Sequence, residues 1–112
     1  MTMTDMLCWF RACAVEDLPE DEGLRLETTP AVALFRVGDE VFCIDDSCTH
    51  ETYSLAEGWL EGCAVECVLH QAKFDLRTGR STPPAGTPVR VHPVRIDGAD
   101  VHLGLPASYG TP

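Results

Sequence analysis

The chain has 112 residues, 45% of them hydrophobic, with a formal net charge of −10 and six cysteines. Such a length and hydrophobic content are those of one folded domain and exclude a disordered segment. The negative charge excludes nucleic acid as a partner, because a phosphate backbone attracts the opposite sign. No basic segment followed by an apolar core opens the sequence, and no apolar run approaches the length of a membrane span. We therefore expect a cytoplasmic protein with reduced thiols and no membrane contact.

Short strands separated by turn residues follow one another along the chain. Alternation and short apolar runs predict strands over 7–15, 23–27, 31–37, 40–44, 64–68, 73–76, 89–96 and 99–103. Gly38-Asp39 and Asp97-Gly98 predict two tight hairpins, and one helical turn is expected near 54–57. The residues after Gly104 are expected to fray. Many short strands without a convincing amphipathic helix predict an all-β sandwich or barrel.

An acidic segment without Lys or Arg extends from Val37 to Ala72. Its carboxylates are Asp39, Glu40, Asp45, Asp46, Glu51, Glu57, Glu61 and Glu66. A solvated surface that only aids solubility would be one explanation. Because the segment also contains the Cys/His pairs described next, we favour steering toward a basic partner.

Two mixed Cys/His pairs lie inside the acidic segment. In the first pair, one residue separates Cys48 from His50. In the second, two residues separate Cys67 from His70, and sixteen residues lie between the pairs. Two thiolates and two imidazoles are the ligand set of a Rieske [2Fe–2S] centre. A zinc site uses the same atoms but usually pairs Cys with Cys and His with His, and unrelated core cysteines and histidines are the third alternative.

The spacing of these pairs resembles that of the Rieske family, and the likeness extends through most of the chain. Its other elements are 31–35, Gly38 and 41–44 before the first pair, 54–58 and 60–62 between the pairs, and 74–79, 84–85, 88–89 and 92–94 after the second pair. By pattern the chain is similar to the small ferredoxins of bacterial aromatic-ring dioxygenase systems. The resemblance implies a single Rieske-type domain, 1–112, folded as an antiparallel β-sandwich. Its base domain would be about 1–44 and 77–112, and two loops within about 45–76 would form a cluster-binding subdomain.

The resemblance also assigns roles to the cysteines and histidines. It implies one Rieske-type [2Fe–2S] cluster whose metal ligands are Cys48, His50, Cys67 and His70. The other cysteines, which are Cys8, Cys13, Cys43 and Cys63, are expected to be small buried hydrophobic residues. Cys63 lies near enough to Cys67 in sequence to be considered as a further ligand. His92 and His102 are expected to be ordinary strand residues.

Several positions near the pairs differ from those of high-potential Rieske proteins. Tyr53 and Leu69 stand where those proteins have a bracing disulfide, and Ala72 and Phe74 stand where they have hydroxyl donors to the cluster. The disulfide and the hydroxyl donors raise the reduction potential of those proteins, and this chain lacks both. Because nearby acids lower the potential further, we expect a value of about −150 mV, the low end of the Rieske range. Gln71 stands where the family often has Gly, and so places a side chain beside the cluster.

The function implied by the resemblance is electron transport without catalysis. The chain would carry single electrons from a flavin-dependent ferredoxin reductase to the terminal oxygenase of an aromatic-ring dioxygenase. A small Rieske subunit of another oxidoreductase, such as a nitrite reductase, and a zinc-binding interaction module are the alternatives. We expect a monomer that docks through the tip around the histidines, with Glu51 and Gln71 as contacts. Trp59 is expected to pack in its loop, with partner docking as the alternative.

Overall fold

The computed structural model describes residues 6–49, 53–68, 71–83 and 86–110. Strands in this part of the chain are β1 (Leu7–Ala14), β2 (Leu24–Leu26), β3 (Val32–Val37), β4 (Glu40–Asp45), β5 (Trp59–Glu61), β6 (Ala64–Glu66), β7 (Lys73–Asp75), β8 (Val91–His92), β9 (Val94–Asp97) and β10 (Asp100–Pro106). Short 3-10 helices occupy Val15–Asp17 and Leu55–Glu57. The strands pair antiparallel in three sheets, ordered β1-β10-β9, β2-β3-β4-β8 and β5-β6-β7. The predicted all-β fold is confirmed.

The four-stranded sheet β2-β3-β4-β8 lies between two hydrophobic cores. Successive side chains of a strand point to opposite faces of the sheet. In β3, Val32 and Leu34 pack into the first core. Ala33 and Phe35 pack into the second core, on the other face. A strand that is buried on both faces needs an uninterrupted apolar run, which is what 31–35 supplies.

Each core is closed by one of the other two sheets. The first core is completed by β1 and β10, with Cys13, Val101 and Leu103 among its buried side chains. The second core is completed by the small sheet β5-β6-β7 and by the 3-10 helix Leu55–Glu57. The predicted division into a base domain and a cluster-binding subdomain stays a prediction.

Both predicted hairpins are confirmed. Gly38 and Gly98 each have a φ of 62°, the left-handed region that glycine enters without a steric penalty. The flanking residues are paired across each turn, Val37 with Glu40 and Asp97 with Asp100. The helical turn expected near 54–57 is the 3-10 helix Leu55–Glu57.

The single strand predicted over 89–96 is wrong. The chain divides at Pro93 into β8, which pairs with β4, and β9, which pairs with β10. Proline has no N–H to donate to a neighbouring strand, so the chain can change sheets at this residue. The strand β5 was not among the strands predicted from the sequence.

The fraying predicted after Gly104 is wrong for the described residues up to 110. β10 continues to Pro106, and the Tyr109 hydroxyl donates a hydrogen bond of 2.7 Å to Asp45 Oδ1. Thr29 and Gly110 exchange two backbone hydrogen bonds of 2.9 Å each. The tail is therefore ordered by paired backbone groups and by one anchored aromatic ring.

Two glycines with left-handed backbones give a matched test of the packing. A Cβ at Gly79 (φ 79°) would lie in severe overlap with the Val89 carbonyl oxygen, whereas one at Gly98 would meet nothing within 4 Å. We expect Gly98→Ala to cost about 1 kcal/mol of unfolding free energy. Gly79→Ala should cost about 1–3 kcal/mol more, because backbone must also move. Urea titrations followed by circular dichroism measure both; equal losses would contradict the packing described here.

Candidate metal centre

The two cysteines of the predicted ligand set begin two loops that are closed by the same kind of hydrogen bond. The Cys48 N–H donates to the Tyr53 carbonyl at 2.9 Å, and the Cys67 N–H donates to the Ala72 carbonyl at 2.8 Å. In both cases the acceptor lies five residues after the cysteine. Each Cys/His pair therefore belongs to a short segment that is closed by a hydrogen bond from its own cysteine.

Both cysteines are buried in the second core. Cys48 is 4% exposed and Cys67 is 0% exposed, and they belong to the same apolar cluster as Leu55, Val65 and Phe74. Soft sulfur ligands in an apolar, water-poor setting are what an iron–sulfur cluster requires. The two thiols on matched loops therefore fit the inner half of such a cluster.

Four of the predicted site residues lie outside the described residues. They are the ligand candidates His50 and His70, together with Glu51 and Leu69. The ligand set as a whole, including its two cysteines, therefore stays a prediction.

The buried carboxylate of Asp46 holds the first loop. By sequence, this residue counts only as one of the charges of the acidic segment. Asp46 is 4% exposed, and its Oδ1 accepts hydrogen bonds of 2.9 Å from both the Ser54 hydroxyl and the Ala56 N–H. Its backbone carbonyl accepts a further bond from the Leu55 N–H at 2.6 Å. Asp46, two residues before Cys48, thus connects the start of the first loop to the 3-10 helix that follows the loop. A local sequence pattern could not predict these hydrogen bonds, because the partners of Asp46 are eight to ten residues away.

A second polar network lies where β4 ends. Asp45 Oδ1 is 2.8 Å from His92 Nε2 and also accepts the hydrogen bond from the Tyr109 hydroxyl. Burial and this carboxylate raise the pKa of Tyr109 to about 12. The His92 and Tyr109 rings meet edge to face, with centroids 5.1 Å apart. His92 is therefore a strand residue with a structural partner, and His102 likewise lies in a strand, β10.

The other cysteines lie outside the two ligand loops. Cys13 and Cys43 are buried in the first core, and burial raises the pKa of both thiols. Cys63 lies at the β5–β6 turn, at the far end of β6 from Cys67. Four extended residues place it roughly 13 Å from that cysteine. Burial raises the pKa of the Cys63 thiol as well, and the prediction that Cys8 is buried is wrong, since Cys8 is exposed on β1.

The positions predicted to tune or to dock differ in exposure. Ala72 and Phe74 are fully buried, whereas Tyr53 is 36% exposed. Gln71 is exposed and has a φ of 59°, which explains why a glycine suits this position. Trp59 is 58% exposed, so the packing role expected for it is wrong.

Parts of the acidic segment are neutralised by cations from outside it. Glu40 accepts hydrogen bonds of 2.6 and 3.1 Å from Arg77, which lower the pKa of that carboxyl. Glu61 lies 2.8 Å from the Lys73 ammonium, which lowers its pKa in the same way. Glu57 is exposed and forms no ion pair with the described residues. The field available for steering is therefore weaker than the residue count suggests.

The fold and the paired loops define a Rieske-type iron–sulfur domain. The family model of the Rieske [2Fe-2S] domain matches residues 8–93, and the chain belongs to this family. The resemblance drawn from the motif spacing is confirmed. Among the described residues, no helix is long and apolar enough to cross a membrane.

Ferredoxins of dioxygenase systems are among its relatives. The chain is 47% identical over 97 residues to the 3-phenylpropionate/cinnamic acid dioxygenase ferredoxin subunit of Escherichia coli (strain K12), covering 85% of this chain and 92% of the relative. It superposes on Sphingomonas yanoikuyae B1 ferredoxin with a TM-score of 0.81 and 32% identity, over 88% of this chain and 100% of that one. A chain in the complex of reduced oxygenase and oxidized ferredoxin in carbazole 1,9a-dioxygenase gives a TM-score of 0.81 and 31% identity, over 86% and 92%.

Removal of the Asp46 carboxylate tests how the first loop is held. Asp46→Ala leaves the buried Ala56 N–H without its acceptor, which should cost about 1–3 kcal/mol of unfolding free energy. Asp46→Asn retains an oxygen at this position and should cost less. Asp39→Ala, in the exposed β3–β4 turn, is the matched loss of charge. Chemical denaturation measures all three variants; equal effects of Asp46→Ala and Asp39→Ala would contradict the assignment.

Proposed function

We propose that the protein is a one-electron carrier, the ferredoxin component of an aromatic-ring-hydroxylating dioxygenase. It receives electrons from a flavin-dependent reductase and delivers them to the terminal oxygenase. The observation that carries the proposal is the pair of buried cysteines, on loops closed by the same kind of hydrogen bond, in a chain of the Rieske family. The names of its relatives, which include a dioxygenase ferredoxin subunit at 47% identity, support the system assigned.

The predicted cysteine and histidine ligands have different roles in the site. When bound, a Rieske-type [2Fe–2S] cluster supplies one-electron redox chemistry. Cys48 and Cys67 would bind one iron of the cluster, and His50 and His70 would bind the other. Burial keeps water from the two cysteines, and a backbone hydrogen bond from each cysteine closes its loop.

The side chains near the cysteines favour a low reduction potential. Ala72 and Phe74 are buried close to Cys67 in the chain and carry no hydroxyl group that could donate to the cluster. Tyr53, at the close of the first loop, cannot form a bracing disulfide. We place the potential at about −150 mV, the lower end of the range of Rieske centres.

Contacts with the partners are small and transient, as befits a shuttle that must bind and leave repeatedly. The complex of oxygenase and ferredoxin known for the carbazole 1,9a-dioxygenase relative supports an oxygenase as one partner. We place the protein in the cytoplasm as a monomer; the free thiols of Cys8, Cys13, Cys43 and Cys63 suit a reducing compartment.

Substitution of the predicted ligands tests the site. Cys48→Ser and Cys67→Ser should each lose the cluster, because metal binding is coupled to the folding of the two loops. Cys8→Ser, which changes an exposed thiol on β1, should keep it. Iron content and visible absorbance measure the result. Wild-type iron content in either of the first two variants would remove that cysteine from the ligand set.

Electron delivery tests the function. We expect the reduced protein to reduce the terminal oxygenase of the E. coli 3-phenylpropionate/cinnamic acid dioxygenase, the system of the relative at 47% identity. The rate should fall as sodium chloride is raised from about 10 mM to about 300 mM, because screening weakens attraction between the exposed carboxylates and a basic partner. A rate independent of salt would contradict the steering, and no reduction at any salt concentration would contradict the function.

A further inference from the structure

The most exposed aromatic side chain of the described residues lies next to the second ligand loop. Trp59 is the first residue of β5 and is 58% exposed. It pairs with Glu66, the residue directly before Cys67. Directly paired residues in antiparallel strands have Cα atoms roughly 4.5–5.5 Å apart. Trp59 is therefore adjacent to the start of the loop that carries a predicted ligand pair.

Trp9, the other tryptophan of the chain, packs against other residues of the protein and serves as a comparison. Trp9 is 39% exposed, lies against Gly104 so closely that a Cβ there would be 2.8 Å from its ring, and is covered by the Arg95 guanidinium at 4.4 Å. Trp59 makes no ring or cation contact with the described residues. More than half of its surface is thus left to water, which is unfavourable for an apolar ring.

The surroundings of Trp59 are acidic. Cross-strand pairing places Trp59, Glu66 and Lys73 in one row on one face of the small sheet. Lys73 is already engaged, at 2.8 Å from Glu61 and 3.9 Å from Glu66. With Glu57 two residues before Trp59 in the sequence and Glu61 two residues after it, three carboxylates and one ammonium lie near Trp59 along the chain or on the paired strands. A complementary surface has an apolar pocket with a basic rim.

We propose that Trp59 is the central contact through which this protein docks on its terminal oxygenase. The assignment rests on the proposed function. Tryptophan is prominent among the few residues that dominate binding free energy at interfaces. Its position beside the second loop brings the oxygenase to the cluster side of the molecule. The oxygenase is the occupant because it is the partner for which the proposed function has direct support.

The experiment uses cluster-loaded protein and the E. coli oxygenase named above. The rate of electron transfer is measured against the concentration of reduced wild type, Trp59→Ala, Trp59→Phe and Ile96→Ala. Ile96 is also apolar and exposed, at 42%, but lies on β9 of another sheet. Trp59→Ala should raise the half-saturating concentration roughly tenfold or more, Trp59→Phe less, and Ile96→Ala not at all. The reduction potential and paramagnetic resonance spectrum should not change in any variant.

Each other outcome counts against a distinct claim. A half-saturating concentration of Trp59→Ala within about twofold of wild type, below the effect of a central contact, would overturn the docking assignment. A wild-type protein that never reduces the oxygenase would overturn the proposed function itself.

Discussion

The hydrogen bonds from the amides of Cys48 and Cys67 are the contacts on which the site depends. Each closes its loop at the carbonyl five residues later, and each starts from a cysteine that is buried in the second core. A short loop alone does not hold a cysteine in one place, because its backbone is free to move. The backbone closure and the apolar packing together hold it, and Asp46 extends the same restraint to the 3-10 helix beyond the first loop.

The rest of the fold serves to present these loops. The four-stranded sheet is buried on both faces, so that β3 and β4 contribute side chains to both the first and the second core. β4 leads directly into the first loop, and its last residue, Asp45, is held by His92 and Tyr109 from the closing strands and the tail.

The sequence predicted what local patterns encode. Gly38-Asp39 and Asp97-Gly98 located both hairpins, and the spacing of the Cys/His pairs identified the family before any strand pairing was known. What it missed depends on distant partners. Pro93 marks a change of sheet only because β4 and β10 lie on either side of it. The tail is ordered by Asp45, 64 residues before Tyr109. The exposure of Trp59 follows from its place on the face of β5-β6-β7 that points away from the second core.

We propose that two cysteines and two histidines hold one [2Fe–2S] cluster. Electron paramagnetic resonance distinguishes this ligand set from four thiolates. The purified protein would be recorded before and after anaerobic reduction with dithionite. The account predicts no signal when oxidised and, when reduced, a rhombic signal whose mean g value is lower than that of a cluster with four thiolates. A mean g value equal to that of an all-cysteine cluster would contradict the histidine ligands. A colourless protein that contains zinc and no iron would contradict the redox function altogether.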